Sequence, residues 1–154
     1  MTASARTLRV LLLTALAEGC QTHAAACDSD ASITQARDAW QARQLHNYQF
    51  VWQQQCYCLA DARQPIRVTV RNGEIVSATG LGGAAVADDV RANVKTIDAL
   101  YAFVEPVQCD AADVRVEGVS AGVPAHVYVD PKRGVADDEF DVTISEFVAI
   151  DRGR

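Results

Sequence analysis

The dipeptide Asn72-Gly73 constrains the fold of this chain more than any other short stretch, because it lies between two segments with strand-like patterns. Residues 66–71 alternate apolar and polar side chains, and residues 75–78 follow the dipeptide as a second apolar segment. Such alternation gives a strand one buried face and one face in water. Asn-Gly is favoured in two-residue hairpin turns because both positions need a positive φ. The sequence therefore predicts an antiparallel hairpin in a sheet covered on one face.

Two segments with helical periodicity each precede segments that alternate like strands. The first begins with Ser32 and Gln35 at capping-box spacing and extends to about His46, and the second begins after Thr96 and is limited by Pro106. Besides the hairpin, we predict a strand from Tyr48 and three later ones: Val114 to Val119, Ala125 to Asp130, and Phe140 to Ile150 with a bulge near Ser145-Glu146. The order αβββαβββ predicts an α+β fold in two layers, a six-stranded, mainly antiparallel sheet with two helices on one face.

The N-terminus has the pattern of a secretory signal peptide. Arg6 and Arg9 precede an apolar run at residues 10–17, which is too short to span a bilayer as a helix. We interpret residues 1–19 as the signal peptide, with an alternative end at residue 26.

The residues after the signal predict a membrane anchor. The sequence Ala-Glu-Gly-Cys that ends at Cys20 resembles a bacterial lipobox and predicts lipidation of Cys20, with Cys27 as the alternative. A lipid anchor would hold the protein at a membrane surface. We interpret residues 20–30 as a linker and residues 31–154 as a single α+β domain.

Length and charge exclude several classes of protein. The chain has 154 residues, of which 49% are hydrophobic, and a formal net charge of -6. This length fits one domain, and the apolar fraction is too high for a disordered acidic tail. A nucleic-acid-binding protein needs a basic surface, so the acidic balance argues against that function.

The predicted export places the cysteines in a compartment where disulfides form. If Cys20 carries the lipid, four disulfide candidates remain in an oxidising compartment: Cys27, Cys56, Cys58 and Cys109. Cys56 and Cys58 continue one face of the strand that starts at Tyr48. Residues two apart on a strand lie roughly 6.6 Å apart, the upper limit for a disulfide, so a bridge within this pair needs a local bend. Cys109 could instead pair with one of the two.

An acidic cluster lies between a predicted turn and the last strand and consists of Asp137, Asp138, Glu139 and Asp141. Carboxylates can coordinate calcium, but the spacing of an EF-hand is absent. Charged residues in such a position more commonly blunt the edge of a sheet. The sequence predicts no metal site and no cofactor, and these four residues come nearest to one.

The sequence contains no recognisable catalytic constellation. No serine lies in a Gly-x-Ser-x-Gly elbow, and both a His-Glu-x-x-His run and a dinucleotide-binding fingerprint are absent. A hydrolase with an unrecognised site would need a pocket lined by ionisable groups.

Several short motifs occur together in an order that resembles a known family. They are Asn47-Tyr48-x-Phe50, Cys56-x-Cys58, Arg67 to Gly73, Thr96-Ile97-Asp98, Gly122-x-Pro124 and Asp137 to Phe147. From about Trp40 to Phe147 the chain resembles a family of small bacterial exported proteins, many of them lipoproteins, known only as a domain of unknown function (DUF 6174). The resemblance implies export and an α+β domain, but it implies no activity, substrate or catalytic residue.

Together these features predict an exported, lipid-anchored envelope protein, periplasmic or held at a membrane, that acts as a non-enzymatic binding or structural module. We expect its partners to be an envelope macromolecule and, through the lipid, a membrane surface, and not nucleic acid. The alternative is a thiol-redox or soft-metal-binding protein centred on Cys56 and Cys58.

Overall fold

A computed structural model describes residues 31–135 and 137–150 of the chain. The helices are α1 (Ala31–Ala42), α2 (Asp88–Asn93) and α3 (Ile97–Val107), with a turn of 3-10 helix at Ala60–Arg63. The strands are β1 (Tyr48–Gln54), β2 (Ile66–Arg71), β3 (Glu74–Gly80), β4 (Asp113–Glu117), β5 (His126–Asp130) and β6 (Phe140–Ala149). All six form one antiparallel sheet in the order β3-β2-β1-β6-β5-β4, which confirms the predicted α+β class. Within the described residues, no helix has the length and apolarity needed to cross a membrane.

The two faces of the sheet differ in polarity, as the alternation of side chains predicts. Tyr48, Phe50 and Trp52 of β1 are buried together with the apolar residues of the neighbouring strands. Burial of each large apolar side chain contributes roughly 1.5–3 kcal/mol to stability. On the opposite face, Gln49 Nε2 donates a hydrogen bond of 2.9 Å to Thr69 Oγ1 across β1 and β2. The core therefore lies on one face, and the polar face is available for other contacts.

Helices α1 and α3 pack against each other in antiparallel directions. Trp40 Nε1, near the end of α1, donates to Asp98 Oδ1 in the first turn of α3 over 3.0 Å. Arg37, one turn earlier in α1, forms an ion pair with Glu105 near the end of α3. The Trp40 ring also contacts the Tyr48 ring edge to face, with centroids 5.1 Å apart. These contacts join the helical layer to the sheet.

The loop between β4 and β5 packs against the backbone of α1. Gly122 has φ +79°, and a Cβ atom built on it would lie only 2.2 Å from Trp40 N. The Gly122 carbonyl oxygen accepts a buried hydrogen bond of 2.9 Å from the Tyr101 hydroxyl of α3. Only glycine combines this left-handed conformation with so close an approach.

Two local predictions are confirmed in detail. Asn72 and Gly73 have φ values of 52° and 83°, as a turn with two left-handed residues requires. Thr96 Oγ1 accepts a hydrogen bond of 3.1 Å from Ala99 N and so caps α3.

The predicted bulge in the last strand is also present. Gln49 pairs with Val148 but Val51 pairs with Ser145, so three steps along β6 oppose two steps along β1. Glu146 lies inside this irregularity with φ 48°, and its carboxylate accepts from Arg67 Nη2 over 2.7 Å. The bulge thus explains the shift in apolar parity along β6.

The boundaries of several elements differ from the prediction. Helix α1 ends at Ala42, before His46, because Gln44 takes a left-handed φ of 49° and turns the chain toward β1. The described helix already includes Ala31, so Ser32 lies inside its first turn. The short helix α2 occupies a position that the sequence pattern did not reveal, because only its Val90 is buried.

Candidate binding site

Three segments that are distant in sequence meet at one end of the polar face. The Gln55 N–H, just after β1, donates to the Asp141 carbonyl oxygen of β6 over 2.9 Å. Asp141 pairs in turn with Tyr128 of β5. The segments enclose a cavity of about 340 Å³, which we call the disulfide pocket, lined by Gln55, Cys56, Tyr57, Cys58, Tyr128, Asp137, Glu139 and Asp141.

Cys56 and Cys58 are bonded to each other in one wall of the disulfide pocket. The expectation that both continue β1 is wrong, because the strand ends at Gln54 and the chain then bends. The bend brings their Cα atoms to 5.2 Å, within the usual range for a disulfide. The sulfurs therefore close a loop of three residues at the surface.

The disulfide loop presents two large apolar side chains to solvent. Tyr57 is 97% exposed, and Leu59, directly after the loop, is 82% exposed. Both values are well above those of the other large exposed apolar residues among the described residues. The covalent closure fixes the backbone around Tyr57, so less conformational entropy remains to be lost on binding.

Carboxylates form the opposite wall of the disulfide pocket. Asp137, Glu139 and Asp141 line it, whereas Asp138, the fourth residue of the predicted acidic cluster, does not. The buried Oδ1 of Asp138 has no hydrogen-bond partner among the described residues. No side chain in the described part of the chain forms an ion pair with Asp137 or Glu139. Asp137 and Glu139 therefore carry negative charge without an ion-pair partner among the described residues, whereas Asp141 is paired with His126.

His126 supports the acidic wall from the adjacent strand. Its Nδ1 lies 3.0 Å from Glu117 Oε2, and its Nε2 lies 2.8 Å from Asp141 Oδ1. The hydrogen bond with Glu117, followed by the one with Asp141, raises the pKa of His126, and the same bond lowers the pKa of Glu117. Sequence reasoning missed this triad, because it depends on the register that pairs His126 with Glu117 of β4 and places it beside β6.

Tyr128 contributes an aromatic ring to the disulfide pocket. The guanidinium carbon of Arg115 lies 4.3 Å from the centroid of this ring. Desolvation, followed by the charges of Asp130 and Glu139, raises the pKa of the Tyr128 phenol. Desolvation is the largest of these causes, and the two carboxylates act in the same direction.

The chemistry of these residues favours binding. Within the described ranges, no group of three or more His, Cys, Asp or Glu residues is arranged to hold a metal ion. Cys56 and Cys58 bond to each other, so in this state they offer no thiolate for coordination. Two phenol rings beside carboxylates are suited to a basic group that also has apolar surface.

Cys109 lies apart from the disulfide pocket in sequence. It follows α3 directly and is disulfide-bonded. The predicted lipidation residues, Cys20 and its alternative Cys27, lie outside the described residues, as do the predicted signal peptide and the whole of the predicted linker. The structure thus brings together Cys56, Cys58 and most of the acidic cluster, which the sequence presented as two unrelated features.

A family model described as a family of unknown function, DUF6174, matches residues 32–149. No curated protein and no solved structure matches the chain.

Proposed function

The chain belongs to the DUF6174 family, a family of unknown function, and from this premise we propose that it is an exported, lipid-anchored protein that binds a protein partner of the cell envelope through the disulfide pocket. In this proposal Cys20 carries the lipid and the domain has no catalytic role. The partner contributes a segment with both basic and apolar side chains.

Two features support export. The basic residues and apolar run at the N-terminus fit a secretory signal. The Cys56–Cys58 disulfide is of a kind that persists in oxidising compartments and is rare in the cytosol.

The observation that carries the binding function is the exposure of Tyr57 on a covalently closed loop beside the disulfide pocket. Aromatic residues that project from a fixed backbone are typical anchors of protein interfaces, where a few residues supply most of the binding energy. Leu59 extends the same apolar surface.

The charge of the acidic wall determines the kind of partner. Asp137 and Glu139 repel an acidic surface and attract a basic one, and the net charge of -6 strengthens this preference at long range. A lysine or arginine side chain places its charged group by the carboxylates and its methylene stem along the Tyr57 ring.

The binding function is tested by capture of partners from envelope membranes of the native host, using the mature protein as bait and mass spectrometry for identification. The double variant Tyr57→Ser, Leu59→Ser is compared with the control variant Val76→Ser, Val148→Ser, which changes two exposed apolar residues on β3 and β6. We expect the first variant to lose at least roughly tenfold in captured partner, since a central aromatic anchor contributes about 2 kcal/mol or more. Equal capture by both variants and the wild type would overturn the proposal, as would the absence of any reproducible partner.

The role of the acidic wall is tested separately by charge neutralisation. Asp137→Asn with Glu139→Gln removes two charges from the wall, and Asp88→Asn with Asp89→Asn removes two exposed charges from α2. We expect only the first pair to weaken binding, and the loss to shrink as salt increases. Equal effects of the two pairs would show that net charge alone attracts the partner.

The anchor is tested by the mass of the N-terminal peptide of the protein from its native host. We expect a lipid on Cys20, and the variant Cys20→Ser to leave the membrane fraction. A membrane-bound Cys20→Ser protein, or an unmodified N-terminus, would exclude this anchor.

A second candidate function is thiol–disulfide exchange, which the position of Cys56 and Cys58 in the wall of an open pocket favours. A thiolate of an external dithiol attacks one sulfur and releases the other as a thiolate, which takes up a proton. The second thiol of the donor then resolves the mixed disulfide, so the donor is oxidised and the pair is reduced. Equilibration in glutathione buffers followed by alkylation measures the potential, and a pair that stays oxidised below about −300 mV is structural and excludes this function.

A further inference from the structure

A second cavity lies beside the end of α1, where the β4–β5 loop approaches β6. Its volume of about 320 Å³ is near the lower end of the range of small-molecule sites. No described residue lines both this cavity and the disulfide pocket, so the two are separate. We call it the Arg43 cavity, and the larger side chains of its wall are those of Arg43, Val123, Pro124, Ile144 and Phe147.

Arg43 is held in position at this cavity by two rings and a carbonyl group. Its guanidinium carbon lies 5.2 Å from the centroid of the Phe147 ring and 5.7 Å from that of the Trp40 ring. Its Nη1 donates a hydrogen bond of 3.2 Å to the Ala121 carbonyl oxygen of the β4–β5 loop. These contacts orient the guanidinium but bring no negative charge to it. An anion that binds Arg43 therefore meets a preorganised group, and little side-chain freedom is lost.

The charge of Arg43 has no counter-ion in the described part of the domain. No carboxylate there forms an ion pair with it, and the two glutamates next to the lining in sequence, Glu117 and Glu146, pair with other residues. Among the described residues that line the cavity, Arg43 is the only charged one, and Ser120 is the only other one with a polar side chain. In a chain of net charge -6, this cavity is thus a local site of positive charge.

The main chain around the Arg43 cavity leaves few hydrogen bonds for a ligand. The N–H groups of Ser120 and Val123 donate to each other's carbonyl oxygens, and the N–H of Ala125 donates to the Glu117 carbonyl oxygen. Pro124 has no N–H group. A peptide backbone in this cavity would therefore leave its own amide groups unpaired, which costs free energy. The cavity is suited to a ligand with one charged end and an apolar remainder.

We propose that the Arg43 cavity binds the carboxylate of a medium-chain fatty acid. The planar carboxylate matches the fork of N–H groups on the guanidinium, and the alkyl chain lies along the apolar wall. A phosphate monoester fits less well, because its charge of about −1.5 to −2 at neutral pH exceeds that of one arginine. This site goes beyond the proposed partner binding and does not depend on it.

The proposal is tested by titrating the purified full chain with sodium octanoate and following tryptophan fluorescence, because the Trp40 ring contacts the Arg43 guanidinium. We expect saturable binding of octanoate and at least roughly tenfold weaker binding of octan-1-ol, which has a chain of the same length without the charge. Butanoate should bind more weakly than octanoate, by up to roughly fourfold for each methylene group that enters the cavity.

Two further ligands test the chemistry of the charged end and of the chain. Octyl phosphate and an acetylated peptide that ends in a leucine carboxylate should both bind more weakly than octanoate. Equal or tighter binding of octan-1-ol, octyl phosphate or the peptide would overturn the proposal, as would the absence of saturable octanoate binding.

Substitutions locate the binding at Arg43. Arg43→Gln should weaken octanoate binding roughly tenfold or more, and Arg43→Lys, which keeps the charge without the planar fork, should lie between it and the wild type. Arg71→Gln is the matched control, because Arg71 is exposed at the end of β2 and also has no ion pair among the described residues. Unchanged affinity in Arg43→Gln, or equal losses in Arg43→Gln and Arg71→Gln, would overturn the proposal. The ligand series on the wild type decides the question even if Arg43→Gln proves unstable.

The Tyr57→Ser, Leu59→Ser variant separates this site from the proposed function. We expect it to bind octanoate as the wild type does, so that failure of partner capture and failure of octanoate binding are distinguishable. Loss of octanoate binding in this variant would place the ligand at the disulfide pocket and overturn the proposal.

Discussion

Replacing Gly122 with alanine tests how closely the β4–β5 loop packs on α1. The substitution adds one methyl group to a residue with φ +79°, and this carbon would lie 2.2 Å from Trp40 N and 2.5 Å from Trp40 Cα. Both neighbours are backbone atoms of a helix, so no side-chain rotation relieves the overlap. Gly83 is a matched control, because it has the same φ of +79° and a Cβ atom added to it would meet nothing within 4 Å.

The cost of each substitution follows from these contacts. The left-handed conformation costs an alanine roughly 1–2 kcal/mol at either site. At Gly122 the loop must also move by roughly 1 Å to reach ordinary carbon contact, and overpacking of this kind costs about 1–3 kcal/mol. The movement stretches the buried hydrogen bond from Tyr101, which contributes about 1 kcal/mol. We expect Gly122→Ala to cost about 2–4 kcal/mol more than Gly83→Ala.

Urea unfolding of the two variants, followed by tryptophan fluorescence, measures this difference as a difference in the free energy of unfolding. Trp40 lies at the contact and reports on it directly. If the two variants agree within about 0.5 kcal/mol, the close approach of the loop to α1 is wrong. If both are as stable as the wild type, the left-handed conformations are wrong as well.

Three further predictions concern stability. His126→Gln should lower the free energy of unfolding most at about pH 5–6. The raised pKa of His126 stabilises the fold below about pH 6.5, and this stabilisation is lost as the pH rises through the pKa of the folded state. The lowered pKa of Glu117 stabilises the fold above about pH 4.5, and this stabilisation is lost in acid. Urea midpoints of wild type and variant at pH 5.5 and pH 9 check this, and an equal gap at both values contradicts it. Asp98→Ala leaves the Trp40 indole N–H without its acceptor and should cost about 1–3 kcal/mol of unfolding free energy in the same assay. Asp98→Asn keeps an acceptor oxygen and should retain most of the stability. Equal losses in the two variants would count against the contact. Thr96→Ala should cost about 1 kcal/mol of unfolding free energy through loss of the helix cap. Thr96→Ser keeps a hydroxyl and should differ little from wild type. A Thr96→Ala variant as stable as wild type would exclude the cap.

Features that depend on a few neighbouring residues could be predicted from the sequence. Asn72-Gly73 needs only its own backbone preferences to form a turn, and Thr96 needs only the helix that follows it. The bulge near Glu146 follows from a change of apolar parity within one strand.

The candidate site could not be predicted as a unit, because it depends on the order of the strands. The loop with Cys56 meets the acidic wall only because β6 is the strand that pairs with the edge of β1 opposite β2, and no local pattern fixes that choice. The alternation of side chains continues through Cys56 and Cys58 in the sequence, so it does not predict the bend that takes both residues out of the strand. His126 was missed for the same reason, since its two partners lie on different strands.

The pairing of β1 with β6 at the centre of the sheet also affects when the protein can fold. Among the described residues these are the first and last strands, so neither half of the sheet can complete its central pairing until β6 has left the ribosome. Contacts between the two ends of a chain form slowly, because the loop between them must close first. The complete six-stranded sheet therefore forms only after β6 has been synthesised. This order of synthesis is compatible with the proposed export, because a translocation channel that accepts only unfolded polypeptides must engage a chain before its domain is compact.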